Sequence, residues 1–254
     1  MKTYIITVAL ILNLSFVFSQ EILSEAYLDG NEYFRMGEYQ KAIKSYTKLI
    51  SMDNKKIRKT GYVNRGLARD KIKEYDGAIQ DFTEAIKLDS TDMASFIDRG
   101  LSKMHAGYFA EAIKDYEYVI HVNTDSKMVQ NAIYWMARIN FSQGKFDEVV
   151  RNCDDYFKVN SIDAELYFIR GTANDMLGNF EQSIKDYSKA IKLYPNYYQA
   201  YANRGTAKIN LLTGKGNLEP SRGETKNACR DLKKALEMGD NSVEDLIYVY
   251  CSKK

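Results

Sequence analysis

The side chains in this chain with reactivity of their own are few and scattered. His105 and His121 have no His-Glu-x-x-His or Cys-x-x-Cys companion to complete a metal's ligand set. Cys153 is a nucleophile only beside a base, and no motif supplies one; its position reads as a buried, inert thiol. Asp154 and Asp155 adjoin on a helix, so they point to different sides and read as solvated surface rather than as a paired acid and base. Gly214-Lys215-Gly216 lacks the Gly-x-x-x-x-Gly-Lys-Ser/Thr spacing that cradles phosphate. There is no Gly-x-Ser-x-Gly elbow. The expectation is a protein without catalytic residues, metal or cofactor.

Composition narrows the class. Lys and Arg number 36 against 34 Asp and Glu, a net charge of +2, which lacks the basic excess of a nucleic-acid binder. Only two prolines in 254 residues, with 20 tyrosines, point to helices throughout. At the N-terminus Lys2 precedes an apolar run from Thr3 to Phe18 that closes on Val17-Phe18-Ser19. This reads as a signal peptide, residues 1–19, cleaved before Gln20. The run is shorter than the roughly 20 residues of a membrane span and holds Asn13 at its middle. No cysteine adjoins the cleavage site to accept a lipid. The expected location is the periplasm or outside the cell, an oxidising space, with no membrane span after cleavage.

The elements that must carry any site are periodic. Segments 60–90 and 166–195 each read aromatic, then Arg-Gly, then a second helix ending Ala-Ile-Lys-Leu. The pattern recurs from Leu23, Lys59, Met93, Gln130, Ala164 and Tyr198. Position 8 of the period holds Gly30, Gly66, Gly100, Ala137, Gly171 and Gly205. Position 20 holds Ala42, Ala78, Ala112, Val149, Ser183 and Ala228. Position 24 holds Tyr46, Phe82, Tyr116, Cys153, Tyr187 and Leu232. Glycine also marks the turn at position 15, as Gly37, Gly107, Gly144 and Gly178. This closely resembles the tetratricopeptide repeat over residues 23–242, with the period of 34 residues such repeats show. Repeat four is degenerate, with Met136-Ala137, Val149 and Cys153 at signature sites.

The resemblance implies an all-α fold: a right-handed α-α superhelix of about six helix pairs with a C-terminal capping helix. The spans are 23–56, 59–92, 93–126, 130–163, 164–197 and 198–242 within 20–242, and 243–254 is the cap, with Asn241 or Ser242 as its N-cap. Insertions of two and three residues precede repeats two and four, and 211–227 reads as an inserted surface loop. Position 32, usually Pro, is Pro195 only in repeat five. Helix breaks are expected at Asn54, Ser90, Thr124, Ser161 and Asp240 as caps or turns.

Position 7 is Arg65, Arg99, Arg170 and Arg204 where position 23 is Asp81, Asp115, Asp186 and Asp231. In repeats one and four both members are missing: Asp29 and Met136 stand at position 7, Ser45 and Asn152 at position 23. Each Arg is therefore expected to pair with the Asp of its own repeat, as a structural ion pair. Antiparallel packing of the last two helices puts Cys229 and Cys251 at similar height, suiting a disulfide. The alternative is that both are small buried residues, since height does not fix facing direction.

In the family that this chain resembles, ligand peptides lie along positions 2, 5, 9, 12 and 13 of the first helices. Here that face carries Tyr27, Asn31 and Phe34, then Val63 and Leu67, then Ile97, Leu101 and Met104. It continues as Tyr134, Arg138 and Phe141, then Phe168. Members that clamp a chaperone's C-terminal carboxylate use Lys and Asn at positions 5 and 9; only Asn31 matches. The face suits an amphipathic helix or extended apolar peptide, unless these residues simply pack between repeats. The expected function is a non-catalytic scaffold in the cell envelope or extracellular space, with a protein or peptide partner and no nucleic acid. The alternative is a surface glycan-capture or envelope-assembly accessory protein, separable by binding with and without polysaccharide competitors.

Overall fold

A computed structural model describes residues 25–122, 126–159, 162–217 and 219–252. The export signal at 1–19 and the expected breaks at Thr124 and Ser161 lie outside them. All regular structure among the described residues is helical. The chain forms two compact units, residues 1–123 and 124–254.

The first unit contains α1 (25–35), α2 (Tyr39–Ile50), α3 (Lys55–Lys71), α4 (Tyr75–Leu88), α5 (Met93–His105) and α6 (Phe109–Val122). The second contains α7 (Ser126–Ser142), α8 (Phe146–Val159), α9 (Ala164–Met176), α10 (Phe180–Leu193), α11 (Tyr198–Gly214) and α12 (Arg222–Glu237). A 3₁₀ turn, Asn241–Val243, then leads into α13 (Glu244–Cys251). From α2 to α6, and again from α7 to α13, each helix packs on the next. Helix pairs that pack on their sequence neighbours bury apolar faces along each unit.

Two positions set how closely the helices approach. The aromatic at position 24 lies over the glycine at position 8 of its own repeat. A Cβ on Gly30 would stand 2.5 Å from Tyr46, one on Gly100 2.7 Å from Tyr116 and one on Gly171 2.9 Å from Tyr187. Repeat six meets the same limit with Leu232, 2.7 Å from a Cβ on Gly205. In repeat four Ala137 replaces the glycine and Cys153 the aromatic, both fully buried. What reads as degeneracy is thus an exchange of volume: a methyl added on one helix, a ring removed from the other.

The turn inside each pair needs a left-handed residue. Gly37, Gly107, Gly144 and Gly178 supply it, with φ from 69 to 85°. In repeat two it is Lys73, at φ 65°, the one non-glycine with positive φ among the described residues. The hydrogen bonds close identically: Glu74 N donates to Arg69 O as Tyr108 N does to Lys103 O.

Asn54, Ser90 and Asp240 fall at helix breaks as expected, while the span 211–227 and the cap of the last helix differ from expectation. The insertions ahead of repeats two and four are taken up in α3 and α7, which run to 17 residues each. Asn54 caps α3, accepting from Lys56 N and Ile57 N. Ser90 lies in the turn after α4. The span 211–227 is largely helical: α11 runs to Gly214, and α12 starts at Arg222 behind a Ser221–Glu224 capping box. The continuing apolar periodicity of Leu211 and Leu212 favours helix there over loop. At the cap, Asp240, not Asn241 or Ser242, accepts from Ser242 N.

The four Arg–Asp pairs meet within their own repeats. Arg65 donates Nε and Nη2 to Asp81 at 3.0 and 2.7 Å. Arg99 does so to Asp115 at 2.9 and 2.7 Å, Arg170 to Asp186 at 3.0 and 2.7 Å, and Arg204 to Asp231 at 2.8 and 2.7 Å. This fork geometry is what a guanidinium offers a carboxylate. The remaining nitrogen, Nη1, reaches back to the preceding repeat: Thr47, Thr83, Asp154 and Ser188, respectively. Asp154 is therefore an ion-pair partner rather than merely solvated. Each carboxylate also takes a second donor from position 11: Arg69, Lys103, Asn174 and Lys208. The aromatic at position 4 lies against each guanidinium, as Tyr62, Phe96, Tyr167 and Tyr201. Repeat four substitutes a neutral pair, Asn140 Nδ2 donating to Asn152 Oδ1 at 2.9 Å.

Cys229 and Cys251 are disulfide-bonded, with Cα atoms 5.6 Å apart. Cys153 is free and buried. Burial pushes its thiol up to about 12, so it is not a nucleophile at neutral pH.

Candidate functional site

In the first unit the first-helix face is made by α1, α3 and α5. Tyr27 is exposed there, and Asn31 accepts from the Tyr46 hydroxyl at 2.9 Å. Phe34 packs edge-on against Tyr39. Val63, Leu67, Leu101 and Met104 are half-buried, while Ile97 is buried and presents nothing to a ligand. Its side chain lies between the helices, so the packing reading holds for Ile97. The polar chemistry of this face lies instead at Asp70, which accepts from Ser102 Oγ at 2.8 Å and sits 3.2 Å from His105 Nδ1. His105 is therefore a partner between repeats.

Asp98, on α5, lies within reach of the charges of Asp92 and Asp70. Burial, with those charges behind it, pushes its carboxyl up to about 6. Nearby, the buried Tyr116 hydroxyl has no hydrogen-bond partner. Tyr46 and Tyr187, in the same position, donate to Asn31 and Thr172 at position 9. In repeat three position 9 is Leu101, which can accept nothing.

The second unit holds the more organised patch. Arg138, on α7, donates Nη1 to Tyr134 Oη at 2.8 Å and to Glu165 Oε1 at 3.0 Å. Tyr134 in turn donates to Glu165 Oε2 at 2.8 Å, tying α7 to α9. The guanidinium is exposed and lies over the rings of Tyr134 and Trp135, 5.6 and 5.3 Å from their centroids. Beside it Phe168 stacks on Tyr197 at 4.8 Å, with Tyr194 next at 5.8 Å. Burial, then the charges of Glu165 and Asp163, pushes the Tyr197 phenol up to about 12, which keeps it a neutral donor. Phe141 turns from the patch to meet Phe146 edge-on. Trp135 and Tyr197 stand outside positions 5, 9 and 12, so a reading confined to those positions misses them.

These side chains offer aromatic faces, one oriented cation and fixed donors and acceptors. That is equipment for recognition. Among the described residues no group of three or more His, Cys, Asp or Glu is placed to hold a metal. No described helix is long and apolar enough to cross a membrane.

Models of the tetratricopeptide repeat match residues 27–92 and 164–197. The chain is similar to human DnaJ homolog subfamily C member 7, 30% identical over 137 residues, 53% of this chain and 26% of that protein. It is also similar to human serine/threonine-protein phosphatase 5, 34% identical over 103 residues, 41% of this chain and 20% of that protein. The chain thus spans about a quarter or less of the curated relatives it matches. Among solved structures, MamA superposes with a TM-score of 0.60 at 22% identity, covering 73% of this chain and 94% of MamA. YrrB, a repeat protein with an unusual peptide-binding site, superposes at 0.63 and 17% identity, covering 82% of this chain and 98% of YrrB.

Proposed function

From a chain that is a tetratricopeptide-repeat protein, we propose a non-catalytic scaffold that binds a partner peptide or helix on the first-helix face of a repeat unit. The carrying observation is the patch in the second unit, where Arg138 is held over Tyr134 and Trp135 by Glu165 beside the Phe168–Tyr197 stack. Arg and aromatic side chains fixed by their neighbours lose little entropy on binding, and such residues dominate interface energetics. The peptide-binding site of YrrB, a neighbour in fold, supports the same reading. In the first unit, taken by itself, Tyr27 is an exposed aromatic on the first-helix face.

The partner is met in the cell envelope or outside the cell, after residues 1–19 are removed. The apolar run ending at Ser19 supports this location, and intact-mass analysis should find Gln20 at the mature N-terminus. Recognition is tested by placing a photo-crosslinking amino acid at Tyr134, Phe168 or Tyr27, with Lys114 on α6 as the control. Crosslinks to a partner from the first-helix positions, and none from Lys114, are expected. Equal labelling from all four would reject this face.

A further inference from the structure

The terminal helices carry a charge pattern that the near-neutral total conceals. Arg222, Lys226, Arg230 and Lys233 are all exposed on α12. At 100° per residue they fall within an arc of about 80°. Along the axis, at 1.5 Å per residue, their spacings are about 6, 6 and 4.5 Å. With Gly223 and the Cys229–Cys251 disulfide they line an open groove of about 510 Å³.

Among the described residues none of the four is in an ion pair. The ion pairs of α11 and α12 are Arg204 and Lys208 with Asp231, Lys215 with Glu181, and Lys234 with Glu237. Asp231, next to Arg230, is buried and held by Arg204 and Lys208, and Glu224 is turned to its own cap, accepting from Ser221 N and Oγ. Four like charges gathered on one helix side repel one another unless an opposite charge joins them. The disulfide ties α13 against α12, so this charged row has a fixed wall.

The geometry points to a second binding site, at which an acidic helix of a partner protein lays its carboxylates along α12. A helix with carboxylates four residues apart repeats at the same spacing of about 6 Å. Alternate residues of a strand recur at about 6.8 Å and drift out of step across four contacts. Single-stranded nucleic acid is disfavoured because no aromatic ring lines the groove to stack a base. An anionic bilayer is disfavoured because the groove presents no large apolar side chain to enter it. This site is separate from the first-helix patch, which uses none of these residues.

The test is fluorescence anisotropy of the intact protein with a labelled helical peptide bearing Glu at i, i+4, i+8 and i+11. The same peptide with Gln, oligothymidylate, and phosphatidylglycerol-containing vesicles serve as competitors. The Glu peptide should bind, the Gln peptide should not, and binding should weaken with salt. The triple variant Lys226→Gln, Arg230→Gln, Lys233→Gln alters only exposed positions, and circular dichroism should verify its fold. It should bind the Glu peptide about tenfold more weakly or worse. Tyr134→Ala should leave this binding unchanged, which separates failure here from failure of the first-helix site. No binding at low salt, equal binding of the Glu and Gln peptides, or an unaffected triple variant would overturn the proposal. So would displacement of the Glu peptide by oligothymidylate or vesicles at lower charge concentration.

Discussion

Arg99 and Arg170 occupy the same position in their repeats, yet replacing each by Met should have unequal effects. Asp115 and Asp186 are both nearly inaccessible, with side chains 6% and 2% exposed. After Arg99→Met, Asp115 retains Lys103 Nζ at 2.7 Å, so its charge stays paired. The loss is a charge-assisted hydrogen-bonded fork, about 1.5–3 kcal/mol. After Arg170→Met, Asp186 keeps only the neutral amides of Asn174 and Gln182, each at 3.3 Å. A buried carboxylate left without a cation costs about 3–5 kcal/mol. Burial already holds the Asp186 carboxyl above the usual carboxylate range, against the pull of Arg170, and removing Arg170 raises it further. With the folded value above the unfolded one, the native state holds the extra proton, so stability rises as pH falls through that window. The Arg170→Met deficit should therefore shrink between pH 7 and about pH 5, while the Arg99→Met deficit changes little. Urea unfolding of both variants at the two pH values, with amide exchange in α9 and α10 as a local readout, measures this. Equal costs at pH 7, or an Arg170→Met deficit that does not shrink on acidification, would refute the argument.

Lys73→Gly should stabilise the protein by up to about 1 kcal/mol, because it relieves a left-handed residue; a lower thermal midpoint would count against this. Gly100→Ala should cost about 1–3 kcal/mol, since its Cβ would stand 2.7 Å from Tyr116. Adding Tyr116→Leu should then cost less than the two single changes summed, as a double-mutant cycle would reveal. Alkylation of denatured, unreduced protein should label no more than Cys153. Reduction should lower stability by roughly 3 kcal/mol for a closed loop of 22 residues.

The repeat architecture is legible because its constraints are local and recur. A small residue at position 8 against a large one at 24 is a volume rule, and the joint appearance of Arg at 7 with Asp at 23 is a charge rule. Both can be read without coordinates. The further partners of each Arg were just as visible as letters, since Thr47, Thr83, Asp154 and Ser188 recur at position 25. Their role was not, because nothing in one repeat tells which neighbour Nη1 reaches. Element ends were the weaker part. The residues before repeat two could be loop or helix until Asn54 is seen capping α3. The proposed binding face was legible as positions but not as surface: Ile97 and Tyr27 share position 5, yet one is 6% and the other 41% exposed. That difference depends on the neighbouring helix, which periodicity does not measure. The basic row on α12 escaped a reading of net charge because summation erases where charges lie.

A stack in which each helix packs chiefly on its sequence neighbours unfolds as a zipper does, from whichever end is free. In residues 124–254 the last helix would be the natural place for such fraying, for α13 is short and contains no fully buried side chain. The bond from Cys251 to Cys229 removes that starting point. Peeling α13 away would have to drag the middle of α12 with it, so the C-terminal pair must open as one cooperative block or not at all. Amides of α12 and α13 should then exchange together under oxidising conditions, and separately, α13 first, once the sulfurs are reduced.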